Sequence, residues 1–507
     1  MFRFQWWRYG VLVGTSFLFL SACNALSRMA QPPVTTAGSM FNLRPEPPTF
    51  KLKPVNDQGS YFCSNGTTAF GPISQRMIQK CKDWGGGTAC DQPRWSEALL
   101  IKAHGKGRCP QGSRLNQFTG FCTEGNTVLG PFPRNLVNAC SDFGGGSACR
   151  TQRWQSSLFN HLARNQGMVV FGKPPQFVLL AFDGSSSLGF WNQSRSFAQD
   201  MAAQNKPVHF TYFISAVYFV SPDQRQLYNA PGGKGKGKSA IGWGGSSEEI
   251  QQRLQQVNLA YQEGHEIGSH AVGHFNGRKW SETDWTNEFK YFDQFIFEAD
   301  QINRLSSSLV FDRSAIEGFR APELGKSPGL YKTLQKQGFR YDTSKEGQAN
   351  YWPQKQNGVW NFPLASLKTA LTRRNVLSMD YNFYMAHSKA KPNPKNAKRY
   401  EEDMFQTYMQ YFKSNFNGNR APVHIGHHFS TWNGGAYWKA MSRFATTVCG
   451  EPEVLCVTYR DLADFMDLLT PEQIAAYQKG DFPPESSSAQ SIGLKLSPAA
   501  QQQICQP

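Results

Sequence analysis

Two histidines stand four residues apart in the segment Gly264-His265-Glu266-Ile267-Gly268-Ser269-His270-Ala271-Val272-Gly273-His274, in a chain that has 10 histidines in all. On one helical turn, imidazoles at this spacing face a single ion at about 2.0–2.1 Å, so His270 and His274 are expected to be ligands of a divalent metal. Asp183 directly follows the apolar run from Gln176 to Phe182, where a carboxylate can act as general base or as a further metal ligand. Taken alone it reads as a helix cap or a turn, because Gly184 and Ser185 to Ser187 follow. A second histidine group, His424, His427 and His428, closes the strand-like segment from Val423 to Phe429. Side chains alternate faces along a strand, so His427 and His428 cannot both enter one pocket, and His424 shares the face of His428. These groups suit removal of an acyl group from an amide. That reaction needs an activated water, a base, an acid for the departing amine and a holder for the oxyanion, and a metal supplies the first and part of the last.

The elements that must position these residues alternate in type. Gln176 to Phe182 is apolar without alternation, the signature of a strand buried on both faces of a parallel sheet, and Val208 to Val220 is a second such run. Ser246 with Glu249 is a capping-box signal, and Ile250, Leu254, Val257 and Tyr261 follow at helical spacing up to Gly264. Strands alternating with helices predict an α/β fold with a parallel sheet or barrel, whose sites lie at the strand C-termini. The stretch Pro231 to Gly245, with Lys234, Lys236 and Lys238 among glycines, reads as a basic insertion in the form of a solvated loop.

Ahead of this region lies an internal repeat. Cys63, Gly71-Pro72, Cys81, Asp83, Gly85 to Gly87, Cys90 and Trp95 recur at one constant offset as Cys122, Gly130-Pro131, Cys140, Asp142, Gly144 to Gly146, Cys149 and Trp154. Each unit is expected to be a short helix ending in a glycine cap and stapled by its second and third cysteines, too small to be stable without the staple. A glycan-binding role and a packing or spacer role are both open for it. Arg3 and Arg8, the apolar run Gly10 to Leu20 and the tail Leu20-Ser21-Ala22-Cys23 form a secretory signal, and its cysteine resembles a bacterial lipobox. The chain is therefore expected to be exported and lipid-anchored at Cys23 in the cell envelope, and its 11 cysteines read as disulfides apart from Cys23. Near neighbours suggest pairing Cys81 with Cys90, Cys109 with Cys122, Cys140 with Cys149 and Cys449 with Cys456, which leaves Cys63 for Cys505. The formal charge of +16 calls for an anionic partner. Export removes nucleic acid from that choice and leaves the cell wall. The resulting plan is a signal over 1–23, a Pro-rich linker over 24–58, the two repeats over 59–165 (63–95 and 122–154), a chemistry-bearing domain over 170–470 and a tail over 471–507.

From Pro174 to about Asp467 the order and spacing of the motifs resemble the polysaccharide deacetylases of carbohydrate esterase family four. Ala181-Phe182-Asp183-Gly184-Ser185 stands for the first motif, His270 to His274 for the second, and Arg320-Ala321-Pro322 for the third. Tyr341-Asp342-Thr343-Ser344 with Tyr351-Trp352-Pro353 stands for the fourth, and the histidines after Asn419-Arg420-Ala421-Pro422 for the fifth. The resemblance implies an irregular (β/α) barrel and N-deacetylation of a GlcNAc-containing polymer, peptidoglycan or a chitin-like chain. It also implies a divalent metal, zinc foremost, on His270 and His274. Asp183 would be base or ligand, Arg320 would orient the base, and Asp342 would tune the acid histidine. Trp352 would wall the sugar subsite, and the amide after Pro322 would face the oxyanion. Counting forward from Asn419 to Pro422 places the acid at His428, whereas an apolar residue two before the histidine favours His427, behind Ile425. Two departures stand out. Gly184 replaces a second aspartate, and Glu323 replaces the usual tyrosine after Pro322. The first leaves open a catalytically impaired glycan-binding lipoprotein, and the same chemistry leaves open an O-acetyl esterase.

Overall fold

Every residue from Gln176 to Asp183 is buried, as an apolar run without alternation requires when both faces of a strand are covered. This strand, β1, is central in a nine-stranded sheet of a computed structural model that describes most of Arg114 to Phe482, with short strands at Lys51–Val55, Ser60–Ser64, Thr68–Phe70, Arg94–Ser96 and Leu494–Lys495. The other strands are β2 (Phe210–Ile214), β3 (Glu266–Ser269), β4 (Gly318–Phe319), β5 (Tyr341–Asp342), β6 (Gln354–Gln356), β7 (Val359–Asn361), β8 (Val423–His428) and β9 (Val454–Cys456). Their order is β6-β7-β5-β4-β3-β2-β1-β8, with β9 on the first half of β1. All the pairings are parallel except β6 with β7. The sheet curls into a half-barrel, the α/β form expected from the alternating pattern.

The two faces of β1 separate two cores. Val178, Leu180 and Phe182 join the larger one with the helices Leu188–Ala203, Ser247–Gln262, Glu282–Phe297, Ala397–Asn417 and Trp432–Val448. The helix after Ser246 has the expected capping box with Glu249 and ends ahead of Gly264. Phe177, Leu179 and Ala181 face the other core with Phe213, Tyr341, Phe362 and the helix Tyr459–Leu468. Close approach across this face depends on glycine at Gly318, where a Cβ would stand 1.8 Å from the Tyr341 ring. The expected strand over Val208 to Val220 is shorter than its apolar run, because the chain turns into a 3-10 helix at Ala216–Phe219 that is still buried.

The second repeat adds itself to that inner core. Its helix Arg134–Asp142 and its Cys140–Cys149 bridge are as expected, joined by the strands Cys122–Glu124, Thr127–Leu129 and Arg153–Gln155. The backbone of the first repeat pairs Ala69 with Trp95 as the second pairs Val128 with Trp154. Phe118 stands edge-on to Phe177 (6.1 Å) and Phe465 (5.5 Å), so the second unit packs on the domain and is not a detached spacer. Arg114 is bound to Asp464 and Glu317, and Arg340 reaches Glu317 (2.5 Å), Asp464 (2.9 Å) and Asp467 (2.8 Å).

Ordered elements lie within both the expected linker and the expected tail. Lys51–Val55, placed in the linker by its prolines, is a strand paired with Ser60–Ser64, and Pro54 is tolerated near its end. Pro471–Lys479, placed in the tail, is a helix that buries Ile474 and Tyr477. The Cys449–Cys456 bridge is present, and Cys122 is disulfide-bonded. The leader with Cys23, and Cys63, Cys81, Cys90, Cys109 and Cys505, have side chains outside the described residues. No helix among the described residues is long and apolar enough to cross a membrane.

Removing one partner from the buried Arg114–Arg340–Glu317–Asp464 network leaves charge without compensation. Asp464→Ala should therefore destabilise the fold by about 3–5 kcal/mol, read by denaturant unfolding. A loss below about 1 kcal/mol would show that the network is already hydrated.

Candidate active site

Asp183 ends β1, and its register partner on β8 is His428. Parallel neighbours in register point the same way, so this pairing places the carboxylate and the imidazole side by side at the C-terminal edge of the sheet. Phe182 pairs with His427 and takes it to the opposite face, where His427 Nε2 lies 3.2 Å from the Tyr408 hydroxyl. Of the two alternatives for the fifth motif, the sheet brings His428 to Asp183 and buries His427. His424 shares the face of His428 lower in the sheet, stacked on Tyr459 (5.5 Å), and neither of its ring nitrogens has a hydrogen-bond partner.

Arg320 holds Asp183. Its Nη1 donates to Asp183 Oδ1 at 2.7 Å and its Nε to Thr343 Oγ1 at 2.7 Å, while the guanidinium lies over Phe213 at 4.5 Å. Gly426 makes room for it, since a Cβ there would meet Arg320 Nη1 at 3.2 Å and Met379 at 3.0 Å. Burial raises the Asp183 pKa, but the Arg320 guanidinium foremost more than offsets this and holds it below the ordinary carboxylate value.

His270 and His274 lie in the loop that follows β3, not on a helix. Ala271 and His274 both have a φ of 57°, and these turns bring the two rings within 5.1 Å of each other, centroid to centroid. The spacing was informative, but the geometry behind it is a left-handed loop. His270 Nδ1 lies 2.8 Å from the Arg320 carbonyl, which can only accept, so Nδ1 carries the proton and Nε2 has a free lone pair. That buried Nε2 has no hydrogen-bond partner. Burial, with some relief from Asp183, pushes the His270 pKa down to about 3, and burial lowers His274 as well. Two neutral imidazoles, one with an orphaned nitrogen, fit a divalent cation. No three His, Cys, Asp or Glu side chains among the described residues gather as a metal site. Gly184 is part of the reason: the position where a second carboxylate is expected is a glycine with a φ of +96°.

His428 has the opposite electrostatic setting. Burial alone would lower its pKa, but Asp380, at 2.6 Å from Nδ1 and accepting from the His428 amide at 2.9 Å, raises it above the ordinary value. The side chain is 27% exposed, so the imidazole meets solvent. Asp380 takes the place expected for Asp342. Asp342 instead accepts from the Ser344 hydroxyl and amide, and Ser344 Oγ accepts from Ala321 N at 2.8 Å, so it braces the Arg320-Ala321-Pro322 turn. Burial pushes its pKa up to about 6. Pro322 is buried in that turn, and Glu323 and Leu324 beyond it have φ of 51° and 52°.

Trp352 does not wall a subsite. It is fully buried, donates from Nε1 to the Asn419 carbonyl at 2.7 Å and packs on Tyr477 at 5.0 Å, because the helix Pro471–Lys479 covers it. The aromatic surface beside His428 comes from Tyr381, 43% exposed, and Trp432, with ring centroids 6.2 Å and 5.3 Å from the imidazole. Asp380, Tyr381 and Trp432 were missed from sequence. Met379-Asp380-Tyr381 offers a carboxylate beside an aromatic, a pairing that recurs along this chain, and nothing local ties it to His428 across the intervening helices.

No family model matches this chain, and no curated protein matches it. Thirty-four chains of solved structures are similar to it. A family 4 carbohydrate esterase from Streptomyces lividans in complex with acetate is 12% identical, over 55% of this chain and 90% of its own, with a TM-score of 0.29. The peptidoglycan deacetylase PdaC from Bacillus subtilis is 11% identical over 60% and 94%, with a TM-score of 0.29. PuuE allantoinase is 12% identical over 59% and 92%, with a TM-score of 0.36. Likenesses this distant carry no conclusion about chemistry, which rests on the site itself.

Because Asp380 is what keeps the His428 imidazolium, Asp380→Asn should bring the His428 titration, followed by NMR, below the ordinary imidazole value of about 6.5. The stability that this pair contributes is complete below that unfolded-state value and is lost as pH rises through the raised folded one. An unmoved titration would assign the shift to another group.

Proposed function

We propose that this chain is a metal-dependent hydrolase that removes N-acetyl groups from a GlcNAc-containing polysaccharide, foremost peptidoglycan, as an exported enzyme anchored by a lipid at Cys23. The observation that carries this reading is the pairing of Asp183, held by Arg320, with His428, held by Asp380, at the ends of adjacent parallel strands. A base and an acid whose environments push their pKa values apart are what amide hydrolysis needs near neutral pH. The motif order over Pro174 to Asp467 supports the acyl group being the acetyl of an amino sugar.

In this reading Asp183, oriented by Arg320, takes the proton of the attacking water. His428 donates a proton to the departing amine nitrogen, Asp380 at Nδ1 favours the imidazolium that gives it, and the proton that Asp183 takes from water balances the one His428 loses. The amide that follows Pro322 faces the developing oxyanion, and Tyr381 with Trp432 offers the sugar an aromatic face. A divalent cation, zinc foremost, would be held at His270 and His274, where it would polarise the acyl oxygen and the water. Gly184 favours a second reading, a glycan-binding chain with impaired turnover, because one of the expected carboxylates is missing. Acetate release from N-acetylated glycan separates the two, and release from O-acetylated glycan alone would point to an esterase.

Excess chelator should abolish release, and zinc or cobalt should restore it. His270→Ala and Asp183→Asn should each be inactive. Metal retained in Asp183→Asn would make Asp183 the base, whereas metal lost would make it a ligand. Full turnover in chelator would sink the metal assignment. His428→Ala should lose roughly 10²–10⁴ in amide cleavage while sparing an aryl acetate, whose leaving group needs no proton. Equal losses on both substrates would remove His428 as the acid.

A further inference from the structure

The basic insertion is an ordered hairpin, Asn229–Ala230 paired with Gly235–Lys236, and it is bonded to the histidine loop. Ala240 N donates to the Gly273 carbonyl at 2.8 Å, one residue before His274. Glu288 ties both elements together from behind, accepting from Tyr228 Oη at 2.8 Å on the hairpin side and from Val272 N at 2.9 Å on the histidine side. Lys234 Nζ lies 5.5 Å from the centre of the Phe275 ring, which directly follows His274. Gly232, at the turn, rests on Trp280, whose Nε1 would stand 2.7 Å from any Cβ there. Arg278 and Lys279 precede that tryptophan.

Lys234, Lys236, Lys238, Arg278 and Lys279 are all exposed, and none forms a salt bridge among the described residues. The carboxylates bonded to this rim are already engaged. Asp284 caps its own helix through Ser281 and accepts from Gly232 N at 3.2 Å, and Glu323 accepts from Asn276 Nδ2 at 3.0 Å. These charges stand on one edge that is bonded to the histidine loop. Such an edge focuses potential on whatever lies in the site.

We propose that this hairpin, with Arg278 and Lys279, is a cationic rim that holds the carboxylates of an acidic glycan while its sugar lies in the site. The proposal rests on the hydrolase reading and narrows its substrate to a carboxylate-bearing polymer over a neutral chitin-like one. Lysine ammoniums are point charges that suit separate carboxylates, and the planar fork that grips phosphate at two points is present only in Arg278.

The test compares the full chain with a Lys234→Gln, Lys236→Gln, Lys238→Gln variant in co-sedimentation with insoluble peptidoglycan stripped of phosphate-bearing polymers, and with chitin, over a range of salt. Expected are salt-sensitive binding to peptidoglycan and about ten-fold weaker binding by the variant, at roughly half a kcal/mol per exposed charge, with chitin binding unchanged. Equal peptidoglycan binding by the two chains overturns the proposal, and so does binding that appears only when the phosphate-bearing polymers are left in place. A parallel loss on chitin overturns it as well, since the hairpin would then serve the fold. Acetate release plays no part in this readout, so failure of the hydrolase reading leaves a distinct result.

Discussion

Arg320 and Asp183 are both withdrawn from water, and a guanidinium and a carboxylate in that position stay ionised only through each other and their remaining hydrogen bonds. Much of the site follows from meeting that requirement. Thr343 Oγ1 accepts a hydrogen bond from Nε, Phe213 supplies a face for the cation, and Gly426 leaves out the side chain that would occupy its space. The backbone of Arg320 is used as well: its amide donates to Ser269 and its carbonyl receives His270 Nδ1. One residue therefore sets the charge of Asp183 and the tautomer of His270.

The histidines divide by environment. His270 and His274 are buried with weak anionic support and are neutral, the form in which an imidazole can bind a metal. His428 sits against Asp380, which raises its pKa and so favours the charged form in which it can act as an acid. The non-glycine residues with positive φ at Ala271, His274, Glu323 and Leu324 lie in the two loops around this site, where backbone strain is held by surrounding bonds such as those of Glu288 and Ser344.

The opposite end of the sheet has a structural logic of its own. Arg114, on the short strand that pairs with Cys122 and Thr123 of the second repeat, reaches into the Glu317–Arg340–Asp464 cluster, and Phe118 closes over Phe177. The repeat thereby covers apolar residues of the half-barrel that would otherwise meet water. A small module that lacks a core of its own gains one by sharing that of its neighbour.

Local signals in the sequence determined a good part of this protein. Unbroken apolar character placed β1, the Ser246 and Glu249 pair placed a helix start, near-neighbour spacing found the Cys140–Cys149 and Cys449–Cys456 bridges, and alternation along β8 separated His427 from His428. These features depend on residues close in the chain, where periodicity and reach decide the outcome. Tertiary structure decided the rest. Whether Trp352 was a wall or a core residue depended on a helix more than a hundred residues later, and the partner of His428 proved to be Asp380 and not Asp342 because of how a helix docks on β8. The loop that joins His270 to His274 takes left-handed turns that no four-residue spacing encodes, since that spacing serves a helix equally well. Contacts of that kind are set by packing among distant elements, and the residue types alone are compatible with several of them.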